Sequence, residues 1–491
     1  MQDQAVLSNE HFDKALAHAQ QLMARGAHRE ALSLIEGSLS SQKAAGPGHA
    51  LHLHLLLSLG RREDALKALE RASMLALESG DAADALGFFA RNLDRHELSH
   101  RLYGKAVELS PRDARFWFNL ATSERSLGNL AAAAEAAEKA CALDPQTKGA
   151  MLLRSEVTRA TVQSNHVAQL RQHLSRSASS DEQISLSFAL GKELHDLRRY
   201  DEAFAAFSQG AAERRRHLNY DIALDEMKLS RIWETFPDGQ TTAAPSDRPA
   251  RHIFIIGLPR SGTTLTERIL GALDNVRSNN ETNNFTNALM RFSAPQGADV
   301  FERAANADFE AVGREYDILA ASDGFAGSII EKLPFNYLYI GAILRAIPDA
   351  AIVSLRRHPL DSCFAMFRTL FAAAYPFSYR FDELARYYAA YEQLMRHWDT
   401  LFPGRIIFVN YEDLVANPAT VAPEMARRCG LQWSDEALEL SRNRSVSLTA
   451  SAAQVREGIY TSSAGTWRNY QRHLTPLAEA LSQNGIELDL P

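Results

Sequence analysis

Short apolar runs and helix-like stretches alternate along the second half of the chain. The runs are rich in β-branched residues and cover residues 253–256, 328–330, 351–355 and 406–409. Their length and composition favour buried strands, and the alternation predicts a parallel sheet covered by helices. Ligands of such sheets collect at the carboxyl ends of the strands, so the residues that follow each run are the candidates for a binding site.

The first half of the chain repeats small residues at a spacing of 34. Two sets of positions share this spacing, namely Gly26, Gly60, Asp94 and Gly128, and Ala31, Ala65, Ser99 and Ala133. Small residues let paired helices approach closely, and glycine suits the turn between them. The pattern resembles the tetratricopeptide repeat, which implies a superhelix whose concave face binds a peptide or a partner protein. A scaffolding or oligomerisation arm is the alternative.

A segment poor in bulky apolar residues and bracketed by prolines separates the two halves, from Pro237 to Pro249. Such a composition is typical of a linker. We therefore predict a multidomain protein: an all-α repeat domain over residues 1–235, a linker over residues 236–250, and an α/β domain with a parallel sheet over residues 251–491.

Composition narrows the range of partners. The formal net charge of -7 gives no reason to expect nucleic-acid binding, and three widely spaced cysteines argue against a disulfide framework or a cysteine-rich zinc site. The first residues lack the basic and apolar regions of a signal peptide, and no apolar run approaches the length of a membrane span. The sequence predicts a cytoplasmic protein without a membrane anchor.

The loop after the first run has the composition of a phosphate-binding loop. Gly257 and Gly262 allow backbone amides to converge on an anion, and a helix that opens at Thr263 directs its N-terminus to the same point. A nucleoside triphosphatase needs lysine where Thr263 stands. Here the positive charge is inside the loop, at Arg260, whose guanidinium can hold two oxygens at once.

This P-loop-like segment resembles the 5′-phosphosulfate loop of the sulfotransferases that use 3′-phosphoadenosine 5′-phosphosulfate (PAPS). The resemblance extends over about residues 251–470, and it implies that the loop residues bind the phosphosulfate group of PAPS. These residues are Arg260, Ser261, Gly262, Thr263 and Thr264.

The end of the third run resembles the 3′-phosphate-binding segment of the same family. The resemblance implies that Arg357 grips the 3′-phosphate. His358 stands where the family has Asp or Asn, and Ala365 stands where it has serine. Ser362, one helical turn before Ala365, is the candidate substitute, and Arg456 in the C-terminal loop is a further candidate for cofactor binding.

Two further segments suggest catalytic groups. Residues 280–285 resemble the Gly-Glu segment of tyrosylprotein sulfotransferases, which implies that Glu281 is the general base, with Asn280 in the place of the glycine. Residues 330–337 resemble the Lys-x-Pro segment of the family. Lys332, with Arg260, can stabilise the negative charge that develops on the leaving oxygen.

The resemblance as a whole implies a transferase that moves a sulfuryl group from PAPS to a hydroxyl of a peptide, glycan or small molecule, without a metal. A protein tyrosine is the acceptor that the resemblance to tyrosylprotein sulfotransferases suggests. Two alternatives stay open: a P-loop phosphotransferase, against which Thr263 counts, and a repeat-based binding protein with an inactive nucleotide-binding domain, which Asn280 and Ala365 favour.

Overall fold

The chain divides into two units, Met1–Thr158 and Arg159–Pro491. The computed structural model describes residues 2–39, 44–236, 250–321, 324–371, 374–440 and 463–488, with side chains from residue 12 onward except at residues 44 and 45. The predicted linker falls almost wholly on residues 237–249, outside the described residues. The division into domains at 235 and 250 stays a prediction.

The first unit is built from helices that pair in sequence. Two short strands, β1 (Ala44–Ala45) and β2 (Ala76–Leu77), form a parallel pair between them. The helices are α1 (Gln2–Ala24), α2 (His28–Leu39), α3 (Pro47–Ser58), α4 (Arg62–Ser73), α5 (Gly80–Asn92), α6 (His96–Leu109), α7 (Ala114–Leu127), α8 (Leu130–Leu143) and α9 (Ala150–Val157).

Both sets of positions spaced by 34 residues have a structural cause. The turns of four successive hairpins each contain one residue with left-handed φ, and these are Gly26 (78°), Gly60 (72°), Asp94 (60°) and Gly128 (85°). Aspartate is among the few residues other than glycine that tolerate this conformation, which explains why it fills the third position. The second set is at most 1% exposed, at Ala31, Ala65, Ser99 and Ala133. The predicted repeat architecture is confirmed.

The second unit begins with four more helices and continues as an α/β domain. The first four helices are α10 (Val167–Arg176), α11 (Ser180–Asp196), α12 (Tyr200–Arg216) and α13 (Ile222–Thr235). The later ones are α14 (Thr263–Leu270), α15 (Asn284–Arg291), α16 (Val300–Ala305), α17 (Phe309–Ala320), α18 (Ile340–Ala346), α19 (Pro359–Phe367), α20 (Phe381–Leu401), α21 (Tyr411–Ala416), α22 (Pro418–Arg428) and α23 (Gln471–Gln483).

The sheet of the second unit has five parallel strands in the order β4-β5-β3-β6-β7. They are β3 (His252–Gly257), β4 (Val276–Ser278), β5 (Ser328–Lys332), β6 (Ala351–Arg356) and β7 (Ile406–Asn410). The four predicted strands are confirmed. The fifth, β4, was not predicted because its three half-buried residues have neither an apolar run nor an alternating pattern.

Charged side chains join the helices of the second unit to its α/β part. Arg215 of α12 donates two hydrogen bonds, of 2.8 and 2.7 Å, to the buried Glu383 carboxylate of α20. Glu226 of α13 pairs with Arg386 of α20. Among the described residues, no helix combines the length and the apolar character that crossing a membrane requires.

Two glycines of one hairpin test the packing argument. Gly87 of α5 lies against the buried ring of Tyr103, and a Cβ there would lie 2.8 Å from two ring atoms, whereas a Cβ at Gly104 of α6 would meet nothing within 4 Å. We expect Gly87→Ala to lower the free energy of unfolding by about 1–3 kcal/mol through overpacking. Gly104→Ala should raise it by up to about 1 kcal/mol. Urea denaturation of the full chain measures both, and equal effects would contradict the close packing at Gly87.

Candidate functional site

Polar and charged residues follow all five strands at the edge where the strands end. Because the strands are parallel, their carboxyl ends lie at one edge of the sheet. In the spatial order of the strands, the residues are Glu281 after β4, Lys332 at the end of β5, the loop of residues 258–262 after β3, Arg357 after β6 and Tyr411 after β7.

The loop after β3 turns sharply into α14. Arg260 has a φ of 69° and Gly262 a φ of 108°, so two residues in the loop adopt left-handed backbone conformations. For Arg260 this conformation is strained, which is a frequent property of binding loops. Ser261 lies between them, 2% exposed, and its hydroxyl oxygen is buried without a hydrogen-bond partner among the described residues. Because a buried hydroxyl without a partner costs about 1–3 kcal/mol, Ser261 is suited to bind a ligand oxygen.

Both glycines of the loop stand where the backbone approaches other groups closely. A Cβ at Gly257 would lie 2.9 Å from the carbonyl oxygen of Leu355, on β6, and one at Gly262 would lie 2.4 Å from a ring carbon of Tyr411. No larger residue fits at either position without a shift of the neighbour. The loop is therefore packed tightly against β6 and α21.

Arg357 lies directly beside the loop. Its Nη1 donates a hydrogen bond of 2.8 Å to the carbonyl oxygen of Arg260, and its Nη2 donates one of 2.5 Å to the carbonyl oxygen of Ser463. Its guanidinium also lies over the ring of Tyr411, 4.8 Å from the centroid, while its Nε is buried and finds no hydrogen-bond partner in the described part of the chain. The side chain thus connects the loop after β3 to the C-terminal segment. The preceding Arg356 lies over Phe408 instead, at 3.8 Å.

Residues of α19 hold the C-terminal segment in place. The buried carboxylate of Asp361 accepts hydrogen bonds from the backbone N–H groups of Gly465, at 2.5 Å, and Trp467, at 2.9 Å. The ring of Trp467 stacks on His358 with an interplanar angle of 6°. Ser362, also in α19, is buried, at 2% exposure. Arg456 lies outside the described residues.

Glu281 and Lys332 form an ion pair on the other side of the loop. The Nζ of Lys332 donates a hydrogen bond of 2.5 Å to Oε1 of Glu281 and lies 3.7 Å from Oε2 of Glu267. Lys332 is 1% exposed, whereas Glu281 is 38% exposed, so the carboxylate is the member of the pair that a ligand can reach. Burial raises the pKa of Glu267, and the Lys332 ammonium opposes this rise.

Asn280 sets the backbone just before Glu281. Its φ is 59°, and its carbonyl oxygen accepts a hydrogen bond of 3.0 Å from the N–H of Lys332. Asparagine tolerates this left-handed conformation, which glycine favours. The asparagine therefore preserves the turn that brings Glu281 to Lys332.

Residues 252–435 match the family model of the sulfotransferase family, and residues 114–147 match that of the tetratricopeptide repeat. The chain carries a sulfotransferase-family domain. The predicted sulfotransferase-family domain and tetratricopeptide repeat are thereby confirmed, and the site described above lies largely within residues 252–435.

Two relatives share part of this chain. An uncharacterized protein of Aquifex aeolicus (strain VF5) is 31% identical over 325 residues, which cover 62% of this chain and 42% of that protein. The chain thus spans less than half the length of that relative. A Caenorhabditis briggsae protein, whose name assigns it provisionally to the protein-tyrosine sulfotransferases, is 26% identical over 231 residues, 44% of this chain and 80% of that protein.

Solved structures give distant matches. The sulfotransferase domain from the curacin biosynthetic pathway is 18% identical and covers 50% of this chain and 100% of its own, with a TM-score of 0.36. The sulfotransferase domain of the Synechococcus PCC 7002 olefin synthase is 20% identical, with 51% and 100% covered and a TM-score of 0.34.

A further carboxylate of the sulfotransferase domain contacts the residue that follows Glu281. Glu331 is fully buried, and it accepts hydrogen bonds from the Thr282 hydroxyl, at 3.1 Å, and from the Asn336 side-chain amide, at 2.9 Å. Burial raises the pKa of Glu331 to about 7. Glu331 thus holds the residue that follows Glu281.

Sequence reasoning missed the residues that support the predicted ones. Glu267, Asp361 and Glu331 are acidic residues in buried elements, and only the spacing of four between Arg357 and Asp361 gives a signal in the sequence. Glu267, on α14, comes beside Lys332, and Thr282 comes beside Glu331, because β5 pairs with both β3 and β4.

The buried Glu331 makes stability depend on pH. The ordinary pKa of this carboxyl is 4.5 and its folded value is about 7, so between these pH values the unfolded chain releases a proton that the folded protein keeps. Stability therefore falls as the pH rises from about 4.5 to about 7 and then levels off. We expect Glu331→Gln to remove this decline, on the order of 3 kcal/mol.

Urea denaturation at intervals from pH 5 to pH 8 measures the effect. Glu310→Gln is the matched control, because Glu310 is 85% exposed in the same domain and should keep the slope of the unaltered protein. An unchanged slope in Glu331→Gln would show that Glu331 is ionised throughout this range.

Proposed function

We propose that this protein is a PAPS-dependent sulfotransferase that modifies an acceptor hydroxyl. The observation that carries the proposal is the arrangement at the strand ends. The loop with Arg260 lies in the middle, Arg357 is joined to it on one side, and the Glu281–Lys332 pair lies at the ends of the strands on the other side.

The donor groups at the loop fit an anionic ligand. Ser261 has a buried hydroxyl that no described residue pairs with, α14 begins at Thr263, and close packing at Gly262 excludes any side chain from the backbone there. We assign the 5′-phosphosulfate to this loop, from Arg260 to Thr264. We assign the 3′-phosphate to Arg357, whose Nε has no hydrogen-bond partner within the ranges that the structure describes, together with Ser362 and with Arg456.

The second set of residues suits proton transfer from an acceptor. When bound, PAPS supplies a sulfuryl group whose bond to the 5′-phosphate oxygen breaks as a bond to the acceptor oxygen forms. Glu281 accepts the proton that the acceptor hydroxyl releases, and its exposure allows that contact. Lys332 orients the carboxylate through the hydrogen bond of 2.5 Å and, with Arg260, provides positive charge near the strand ends.

The alternatives find less support. A phosphotransferase of the P-loop type needs a lysine at Thr263, and the buried Lys332 is paired with Glu281 instead. The inactive-domain alternative relies in part on Asn280, which keeps a backbone conformation that glycine favours. A protein tyrosine as the acceptor is suggested by the name of the Caenorhabditis briggsae relative.

Glu281→Gln tests the role of the base. The substitution keeps the shape of the side chain but removes its basicity, so we expect transfer to fall by about 100-fold or more. Affinity for 3′-phosphoadenosine 5′-phosphate should stay within about twofold, because Glu281 is not assigned to the nucleotide. Transfer of radiolabelled sulfuryl groups to a cell extract and isothermal titration measure the two quantities. Glu310→Gln is the control, and transfer at the rate of this control would exclude Glu281 as the base.

Arg357→Ala tests the assignment of the 3′-phosphate. We expect affinity for 3′-phosphoadenosine 5′-phosphate to fall by about tenfold or more, and affinity for adenosine 5′-phosphate to change much less, because only the first ligand has the phosphate that Arg357 binds. Arg356→Ala is the matched control, since the neighbouring guanidinium lies over Phe408. An equal loss for both nucleotides in Arg357→Ala would indicate that the arginine only holds the loop.

A further inference from the structure

An apolar cavity of about 610 Å³ lies beside the Glu281–Lys332 pair, and the mechanism above does not use it. Its wall includes the ring of Phe335 and the ring of Tyr375, which stack on each other with centroids 4.8 Å apart. Leu229 and Ile232, both buried in α13, form another part of the wall. A volume of this size holds a small organic molecule.

Several residues that line the cavity are close in the chain to the proposed base or to its partner Lys332. Asn283, two residues after Glu281, and Leu333, directly after Lys332, both line it. Burial and the charge of Glu281 both raise the pKa of the Tyr375 hydroxyl. Tyr375 has a φ of 57°, a strained conformation for a residue with a large ring. The cavity therefore reaches the segments of the chain that carry the Glu281–Lys332 pair.

The polar groups in the wall are largely satisfied by one another. Lys228 pairs with Asp225 at 3.0 Å, and the hydroxyl of Tyr220 donates a hydrogen bond of 2.8 Å to the same carboxylate. The Asp225 carboxylate is thus occupied by two partners and much of the remaining wall is apolar, so a charged ligand inside the cavity would lack a partner of opposite charge, which costs free energy. The cavity favours an uncharged body.

One wall comes from outside the segment that matches the sulfotransferase family, which begins at residue 252. This wall is α13, and ion pairs hold it in place: Arg231 donates a hydrogen bond of 2.7 Å to Asp299 at the start of α16, and Glu226 pairs with Arg386 of α20. The position of α13 is thus determined by contacts with the catalytic part of the unit.

We propose that this cavity binds the acceptor, that the acceptor is a small, uncharged hydroxyl compound with a mainly apolar body, and that α13 helps to select it. The proposal rests on the proposed function, since the hydroxyl is the one that Glu281 deprotonates. A protein that recognises a charged peptide would instead need unpaired charges at this point.

The test uses 2-naphthol, a fluorescent hydroxyl compound, as the probe and the full-length protein. We expect saturable binding of 2-naphthol and its conversion to the sulfate ester when PAPS is present. Ile232→Trp should fill part of the cavity from α13 and weaken 2-naphthol binding by about tenfold. Leu224→Trp is the matched control, because Leu224 belongs to the same helix and is 53% exposed. Ala304→Phe adds bulk from α16 in case the first variant is unstable.

Affinity for 3′-phosphoadenosine 5′-phosphate separates this proposal from the proposed function. If the nucleotide binds and 2-naphthol does not, or if both cavity variants bind 2-naphthol as the control does while keeping nucleotide affinity, the assignment of the cavity is wrong. Transfer to an acidic tyrosine peptide without transfer to 2-naphthol would also overturn it. If 2-naphthol binds in a cavity-dependent way and the nucleotide does not, the cavity is a site for apolar hydroxyl compounds, but its role as the acceptor site fails together with the sulfotransferase proposal.

Discussion

The hydrogen bond from Arg357 to the carbonyl oxygen of Arg260 is the contact on which one side of the candidate site depends. It joins the loop after β3 to the end of β6, and the second hydrogen bond of the same guanidinium, to Ser463, adds the C-terminal segment. Because the arginine is buried, these contacts are protected from water and hold three separate parts of the chain in one arrangement. The tight packing of Gly262 on Tyr411 completes it.

The other side of the site depends on one buried ammonium group. Lys332 lies between Glu281 and Glu267, so a single positive charge faces two carboxylates. A buried lysine is stable only when it is paired, and the pair in turn fixes the direction of the Glu281 carboxylate. The more exposed carboxylate is the one available for chemistry, while the buried one maintains the lysine.

Sequence reasoning predicted the strands that have a continuous apolar run and missed β4, which has three half-buried residues and no run. It also placed the candidate residues at strand ends, because the ends of apolar strands can be predicted from the sequence. Their partners could not be read in this way. Glu281 and Lys332 are 51 positions apart, and only the pairing of β4 with β5 shows that they meet. Arg456 lies outside the described residues and stays a prediction.

The left-handed turns of the first unit have a consequence for how this part of the chain can change in evolution. Gly26, Gly60, Asp94 and Gly128 close four hairpins with the same turn conformation at a spacing of 34 residues, so successive copies share one register. Duplication or loss of one whole copy would therefore create a junction like the existing ones. Insertions of other lengths would shift the register between neighbouring copies, so the array can lengthen or shorten only in whole copies.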